Sequence, residues 1–130
     1  MMTPDNLKFS ILIVEDDPIL LLSLTGYFEA RGYAVHPARE REEAEALLHK
    51  FKYSAIITDL ALNSSRLSGL DILATIKALP QTPKVVILTG HCEPDIRLEA
   101  QLNGADAFIS KPAPLAHIAS VIDHLVGAVA

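Results

Sequence analysis

The chain contains no tryptophan, a single cysteine and only 5% aromatic residues. Its core must therefore be largely aliphatic, as in buried parallel strands covered by helices. One cysteine, Cys92, cannot close an internal disulfide, which points to a reducing compartment. Basic residues are also in short supply, 11 against 16 acidic ones, for a net charge of -5. That balance argues against non-specific binding of nucleic acid by the domain itself. The opening residues Met1-Met2-Thr3-Pro4-Asp5-Asn6 have neither a basic segment nor a long apolar stretch. The longest apolar run of the first predicted helix, Ile19 to Leu22, falls far short of a membrane span. Neither a G-x-G-x-x-G fingerprint nor a phosphate-binding loop follows the first strand, which argues against nucleotide binding. At 130 residues the expectation is one domain over residues 1–130, soluble, cytoplasmic and free of membrane contact.

What is present is a regular alternation. Short apolar runs occur at Phe9–Val14, more weakly at Tyr33–His36, and at Ala55–Thr58, Lys84–Leu88 and Ala107–Ile109. Each lies beside a segment with helical signals. Asp17 can cap the first helix and Pro18 suits its first turn, with Leu20, Leu21, Leu24, Tyr27 and Phe28 inward and a stop at Gly32. A second helix is predicted from about Arg39 to Lys50, with Ala44, Leu47, Leu48 and Phe51 on one face. The charges of Arg39 to Glu43 belong to its solvated face. The third helix starts near Ser68-Gly69, turns Leu70, Leu73 and Ile76 inward and ends before Pro80. The fourth runs from Glu93-Pro94 to a left-handed stop at Asn103-Gly104. The fifth spans about Pro114 to Val129 and buries Leu115, Ile118, Ile122, Leu125 and Val129. Strand and helix thus alternate five times, giving an α/β doubly wound parallel sheet.

In such sheets ligands bind at the carboxyl ends of the strands, where the strand order reverses. Those ends carry Glu15, Asp16 and Asp17 after the first strand, Asp59 after the third, Thr89 after the fourth and Lys111 after the fifth. A lone Asp there is ordinarily a turn residue or a helix cap. Several in one crevice are costly unless a cation or a reaction requires them. The order 2-1-3-4-5 would bring both acidic sites into one crevice.

Ile11 to Asp17, Ile57-Thr58-Asp59-Leu60, Ile87-Leu88-Thr89-Gly90 and Phe108-Ile109-Ser110-Lys111-Pro112 together resemble the motifs of response-regulator receiver domains, the CheY-like family. The resemblance covers about residues 8 to 128. It implies a flavodoxin-like fold of five βα units in the order 2-1-3-4-5. It also implies that Asp59 accepts a phosphoryl group from a sensor histidine kinase or a histidine phosphotransfer protein. A carboxylate attacks an anionic phosphoryl group poorly, so a cation must neutralise and align the pair. The resemblance assigns Mg²⁺, or another divalent ion such as Mn²⁺, to Asp16, Asp59 and the backbone carbonyl of Ala61. Glu15 would hold a metal-bound water, and Asp17 falls outside the site as the helix cap. Lys111, joined to Pro112 by what the resemblance implies is a cis peptide, would face the phosphoryl oxygens. Thr89 would bond the new group, and Phe108 would be either a rotamer switch or plain core. The changed surface would be the fourth helix, fifth strand and fifth helix, facing a downstream protein or a C-terminal effector domain. The fourth and fifth helices could also mediate a homodimer.

Some positions depart from the pattern. Leu62-Asn63 stands where many receivers have Met-Pro, and the loop Asn63 to Ser68 looks extended by about two residues relative to the family, either a partner contact or a plain surface loop. Ala61 cannot orient an attacking water; His91 either can or is a bland loop histidine. His36, His49, His117 and His124 lack metal-ligand spacing and fit surface or edge positions. Cys92 fits an unreactive thiol at a helix start. A pseudo-receiver acting as a constitutive interaction module is the alternative, although it should lack one of Asp16, Asp59, Thr89 or Lys111. An aspartate-nucleophile phosphatase would need a second acid where Ala61 stands. The expectation is a switch that catalyses only its own phosphorylation and dephosphorylation. The end of the chain after the fifth helix fits both a single-domain regulator and a receiver joined to an effector domain.

Overall fold

A computed structural model describes residues 9–62 and 68–128. Five strands form one parallel sheet: β1 (Ser10–Val14), β2 (Ala34–Ala38), β3 (Ala55–Thr58), β4 (Lys84–Thr89) and β5 (Ala107–Ser110). Their order is β2-β1-β3-β4-β5, the flavodoxin-like arrangement. The helices between and after them are α1 (Pro18–Ala30), α2 (Arg41–Lys50), α3 (Ser68–Lys77), α4 (Pro94–Leu102) and α5 (Leu115–Val126).

The central strands read as continuous apolar runs because both faces are covered, and alternate side chains divide between the two faces. Ile11, Ile13, Ile57, Val86 and Leu88 pack towards α1 and α5 with Leu24, Phe28, Ile118 and Ile122. Leu12, Val14, Ile56, Val85 and Ile87 pack towards α2, α3 and α4 with Leu48, Leu73, Ile76 and Ile96. Burying one such aliphatic side chain contributes about 1.5–3 kcal/mol, so the two layers supply most of the driving force.

Local signals start and stop the helices. Asp17 Oδ1 accepts from the N–H groups of Ile19 and Leu20, which caps α1 as expected from Asp17-Pro18. After α1, Gly32 adopts φ +96° and turns the chain into β2; after α4, Gly104 does the same at φ +105°. Pro37 sits in β2, an edge strand, where its missing N–H interrupts no central ladder.

Several expectations are corrected. The second helix starts at Arg41, two residues later than predicted, and Phe51 lies beyond its end, 40% exposed. Its apolar face is satisfied by Ala44 and Leu48, so the seven-residue spacing to Phe51 outruns the helix. Ile72, not anticipated, is fully buried on α3 beside Leu73 and Ile76, while Leu70 is only partly covered. The fifth helix ends at Val126, and Leu115 and Leu125 are only half-buried at its margins. The charges at the start of α2 are not simply solvated: Arg41 Nη1 reaches Asp71 Oδ2 of α3 at 2.6 Å and ties the two helices together. Val129, and the loop residues 63–67, lie outside the described residues. No helix among the described residues is long and apolar enough to cross a membrane.

Candidate functional site

The register of the parallel ladders brings the site together. Val14 pairs with Thr58 across β1 and β3, so the next residues, Glu15 and Asp59, emerge side by side. Thr89 pairs with Ser110 across β4 and β5, which places Lys111 one step beyond the sheet. Backbone bonds carry these ladders past the strand ends: Asp59 N–H donates to the Val14 carbonyl at 3.2 Å, and Lys111 N–H to the Thr89 carbonyl at 2.9 Å. The Lys111–Pro112 peptide is cis.

Glu15, Asp16 and Asp59 each present a carboxylate oxygen within 4.8 Å of the others. At that separation two unit charges repel by roughly 3–4 kcal/mol for an effective dielectric constant of about 20. Glu15 is 2% exposed and Asp59 6%, so water screens them poorly. Among the described residues, a lysine ammonium lies between two of the three carboxylates. Lys111 Nζ donates to Glu15 Oε1 at 2.6 Å and to Asp59 Oδ2 at 2.7 Å. Two backbone donors fix the remaining oxygens: Asp17 N–H donates to Glu15 Oε2 at 3.0 Å, and Ala61 N–H to Asp59 Oδ1 at 3.2 Å. Both carboxylates are thus held in one orientation.

Three acids share the crevice, and Lys111 pairs with two of them, Glu15 and Asp59. Burial pushes the Glu15 carboxyl above its ordinary value, and the hydrogen bonds from Lys111 and the Asp17 N–H only partly offset this. Burial works against the charge of Lys111, but its bonds to Asp59 and Glu15 outweigh it and hold its pKa above the ordinary lysine value. A cluster of three hard oxygen donors could hold a divalent metal ion.

Thr89 is completely buried, and its Oγ1 accepts from the His91 N–H at 3.2 Å. Phe108 lies one strand away and is half-buried, with the Arg97 guanidinium of α4 5.4 Å from its ring centre. Asp17 is occupied as the cap of α1, as expected. Cys92 precedes α4 rather than starting it, and its thiol donates to the Thr89 carbonyl and Ser110 Oγ. His36 sits on the edge strand as expected, although it is half-buried and paired with Tyr53.

Two details were missed from sequence. Thr58 is buried in β3 as its apolar run implies, but its hydroxyl donates to the Asp59 carbonyl at 3.0 Å, which shapes the turn carrying the acid. The pairing of Lys111 with Glu15 joins residues 96 positions apart and has no local signal.

A family model described as "Response regulator receiver domain" matches residues 11–123. Over 102 residues the chain is 35% identical to the nitrogen assimilation regulatory protein NtrX of Azorhizobium caulinodans, covering 78% of this chain and 22% of that protein. The chain spans 22% of that protein and 41% of the transcriptional regulatory protein SrrA of Staphylococcus aureus, to which it is 32% identical over 102 residues. Among solved structures it is similar to the non-phosphorylated HemR receiver domain from Leptospira biflexa, with a TM-score of 0.84 and 28% identity over 95% of this chain and 98% of that one. It is also similar to a response regulator from Burkholderia pseudomallei with a phosphorylated aspartic acid, calcium ion and citrate. There the TM-score is 0.81 with 28% identity, over 93% of this chain and 70% of that one.

Proposed function

The chain belongs to the response regulator receiver domain family, and from that premise we propose that it is a phosphorylation switch with Asp59 as the acceptor. The observation that carries the proposal is the position of Asp59. It is buried beside two further carboxylates, with one oxygen held by an ammonium at 2.7 Å and the other by a backbone N–H. A structural turn aspartate needs neither the neighbouring acids nor the lysine.

In the reaction an Asp59 oxygen forms a bond to the phosphorus of a phosphohistidine on a histidine kinase or phosphotransfer protein. The phosphorus–nitrogen bond breaks, and the imidazole leaves with the electron pair and takes up a proton. Asp16, Asp59 and the Ala61 carbonyl would hold a divalent cation, Mg²⁺ or Mn²⁺, with Glu15 acting through water. When bound, that ion supplies charge neutralisation for the anionic phosphoryl group. The calcium ion and phosphorylated aspartic acid of the similar Burkholderia regulator support this reading.

The residues of the chain provide the rest. Lys111 already sits against Asp59 and turns from a carboxylate oxygen to the phosphoryl oxygens, where a flexible ammonium suits a point contact. Thr89 gives up its bond from the His91 N–H and donates to the phosphoryl group. Its movement vacates space towards which Phe108 turns. Arg97 on α4 rests on the Phe108 ring, so the change reaches the α4–β5–α5 surface. That surface would meet a downstream partner, an effector domain or a second copy. We place the domain in the cytoplasm, over residues 1–130 with its core at about 8–128. It catalyses its own phosphorylation and dephosphorylation only.

Incubation with acetyl phosphate or a histidine kinase and Mg²⁺ tests this. Intact-mass analysis should show one added phosphoryl group, lost in Asp59→Asn. No labelling of the native chain by either donor would overturn the proposal.

A further inference from the structure

The amino ends of the strands carry a second concave surface, at the opposite end of the sheet from the acid pocket. Where the chain leaves α2 and α3, a groove of about 430 Å³ is walled by Leu48, Phe51, Tyr53, Leu79 and Pro83. Phe51 is the feature that needs an explanation, since it is a large apolar side chain left 40% exposed. It is not loose. Its N–H donates to the Leu47 carbonyl at 2.9 Å, and its ring meets His36 edge-on with centroids 4.8 Å apart. His36 Nδ1 in turn lies 2.7 Å from the Tyr53 hydroxyl. A held, half-exposed aromatic loses little conformational entropy when a partner covers it.

Charge decides what that partner is. His49, Lys50 and Lys52 line the groove, the Lys50 ammonium stands 5.4 Å from the Phe51 ring centre, and none of the described residues lining it is a carboxylate. In a chain with a net charge of -5, this is a local reversal of sign. Lys50 also lines an adjoining hollow of about 400 Å³ along α2. Glu43 lies there, but its Oε1 accepts from the Arg39 N–H.

We infer that this groove is a docking site for an acidic, apolar-anchored segment of a partner protein. Apolar anchors of the segment cover Phe51 and enter the groove, while its carboxylates meet Lys50 and Lys52 at the rim. Buried aromatics and complementary rim charges divide affinity from specificity in this way. An anionic lipid surface fits less well, because a flat bilayer cannot enter a concave groove. The site does not depend on Asp59 and stands or falls apart from phosphoryl transfer.

The test uses the full chain and two synthetic peptides with the same Leu and Phe anchors. One carries Asp and Glu between them; the other carries Lys at each acidic position. Titration followed by amide NMR should move residues 47–53 and 79–84 saturably with the acidic peptide. Anisotropy should show the lysine peptide at least about tenfold weaker, and added salt should weaken the acidic one. Phe51→Ala should lower acidic-peptide affinity about tenfold. The double reversal Lys50→Glu/Lys52→Glu should transfer the preference to the lysine peptide. These side chains are exposed, and a thermal melt verifies the fold of each variant. Equal binding of both peptides, no binding, or shifts confined to other surfaces would overturn the inference. So would Phe51-dependent sedimentation with phosphatidylserine vesicles, or Phe51-dependent self-association, which would assign the groove to a membrane or to a second copy.

Discussion

Asp59 and Asp123 are two aspartates in polar networks at opposite ends of the same sheet, and their neighbours give them different work. Asp123, on α5, accepts from the Tyr33 hydroxyl and pairs with the Arg31 guanidinium. One carboxylate meets one cation and one neutral donor, so the charge is balanced and the network is closed. Asp59 also meets a cation and a backbone donor, yet Glu15 and Asp16 present their carboxylates within 4.8 Å of it. A partnered, part-buried acid is therefore not in itself a site. Three carboxylates gathered in one buried crevice, at a cost to the rest of the fold, separate the two ends.

The sharpest break between them is chemical. With acetyl phosphate and Mg²⁺, Asp59→Asn should abolish the mass increase of one phosphoryl group, whereas Asp123→Asn should leave it complete. The metal response comes next. Mg²⁺ at a hundredfold excess over its dissociation constant should stabilise the native chain by about 2.7 kcal/mol. Denaturant titration should show the same gain in Asp123→Asn and a much smaller one in Asp59→Asn. An unchanged gain in Asp59→Asn would falsify the assignment of that carboxylate to the ion.

At the balanced end, Asp123→Ala strands the Tyr33 hydroxyl and the Arg31 guanidinium. It should cost about 1–3 kcal/mol of folding stability by denaturant unfolding. Combination with Tyr33→Phe should cost less than the sum, since the two changes remove one shared bond.

The smallest effect is alkaline. Burial, then the bond to Asp123, pushes the Tyr33 phenol above its ordinary value; burial alone pushes Tyr53 up to about 12. A raised folded pKa contributes stability that is complete below the ordinary tyrosine value of about 10 and fades as pH rises through the folded value. Stability should therefore fall from about pH 10 upward, towards about 12 for Tyr53. Lys111, also held above its ordinary value, loses stability in the same sense. Tyr33→Phe should flatten part of that slope in pH-dependent melts and leave phosphorylation at neutral pH unchanged.

Much of this was legible along the chain. Asp17-Pro18 announces the start of α1, and the apolar runs locate the strands, because capping and burial of a strand on both faces act over a few residues. The strand-end positions of Asp59, Thr89 and Lys111 were legible for the same reason. Arg41 was misjudged because its partner Asp71 lies on the next helix, and Phe51 because helical periodicity continued past the last helical residue. The turn of the Thr58 hydroxyl onto the Asp59 carbonyl carried no sequence signal either.

The sequence by itself determined the elements, their polarity and which residues stand at each carboxyl end. Those follow from local rules: periodicity, caps and the exclusion of polar groups from strand interiors. Only the tertiary structure decided that Lys111 bridges Glu15 and Asp59, and that the Asp17 N–H fixes Glu15. Strand order and register bring these groups within reach, and the strength of a charge depends on how far water is excluded around it. That exclusion is a property of the assembled crevice and of no segment within it.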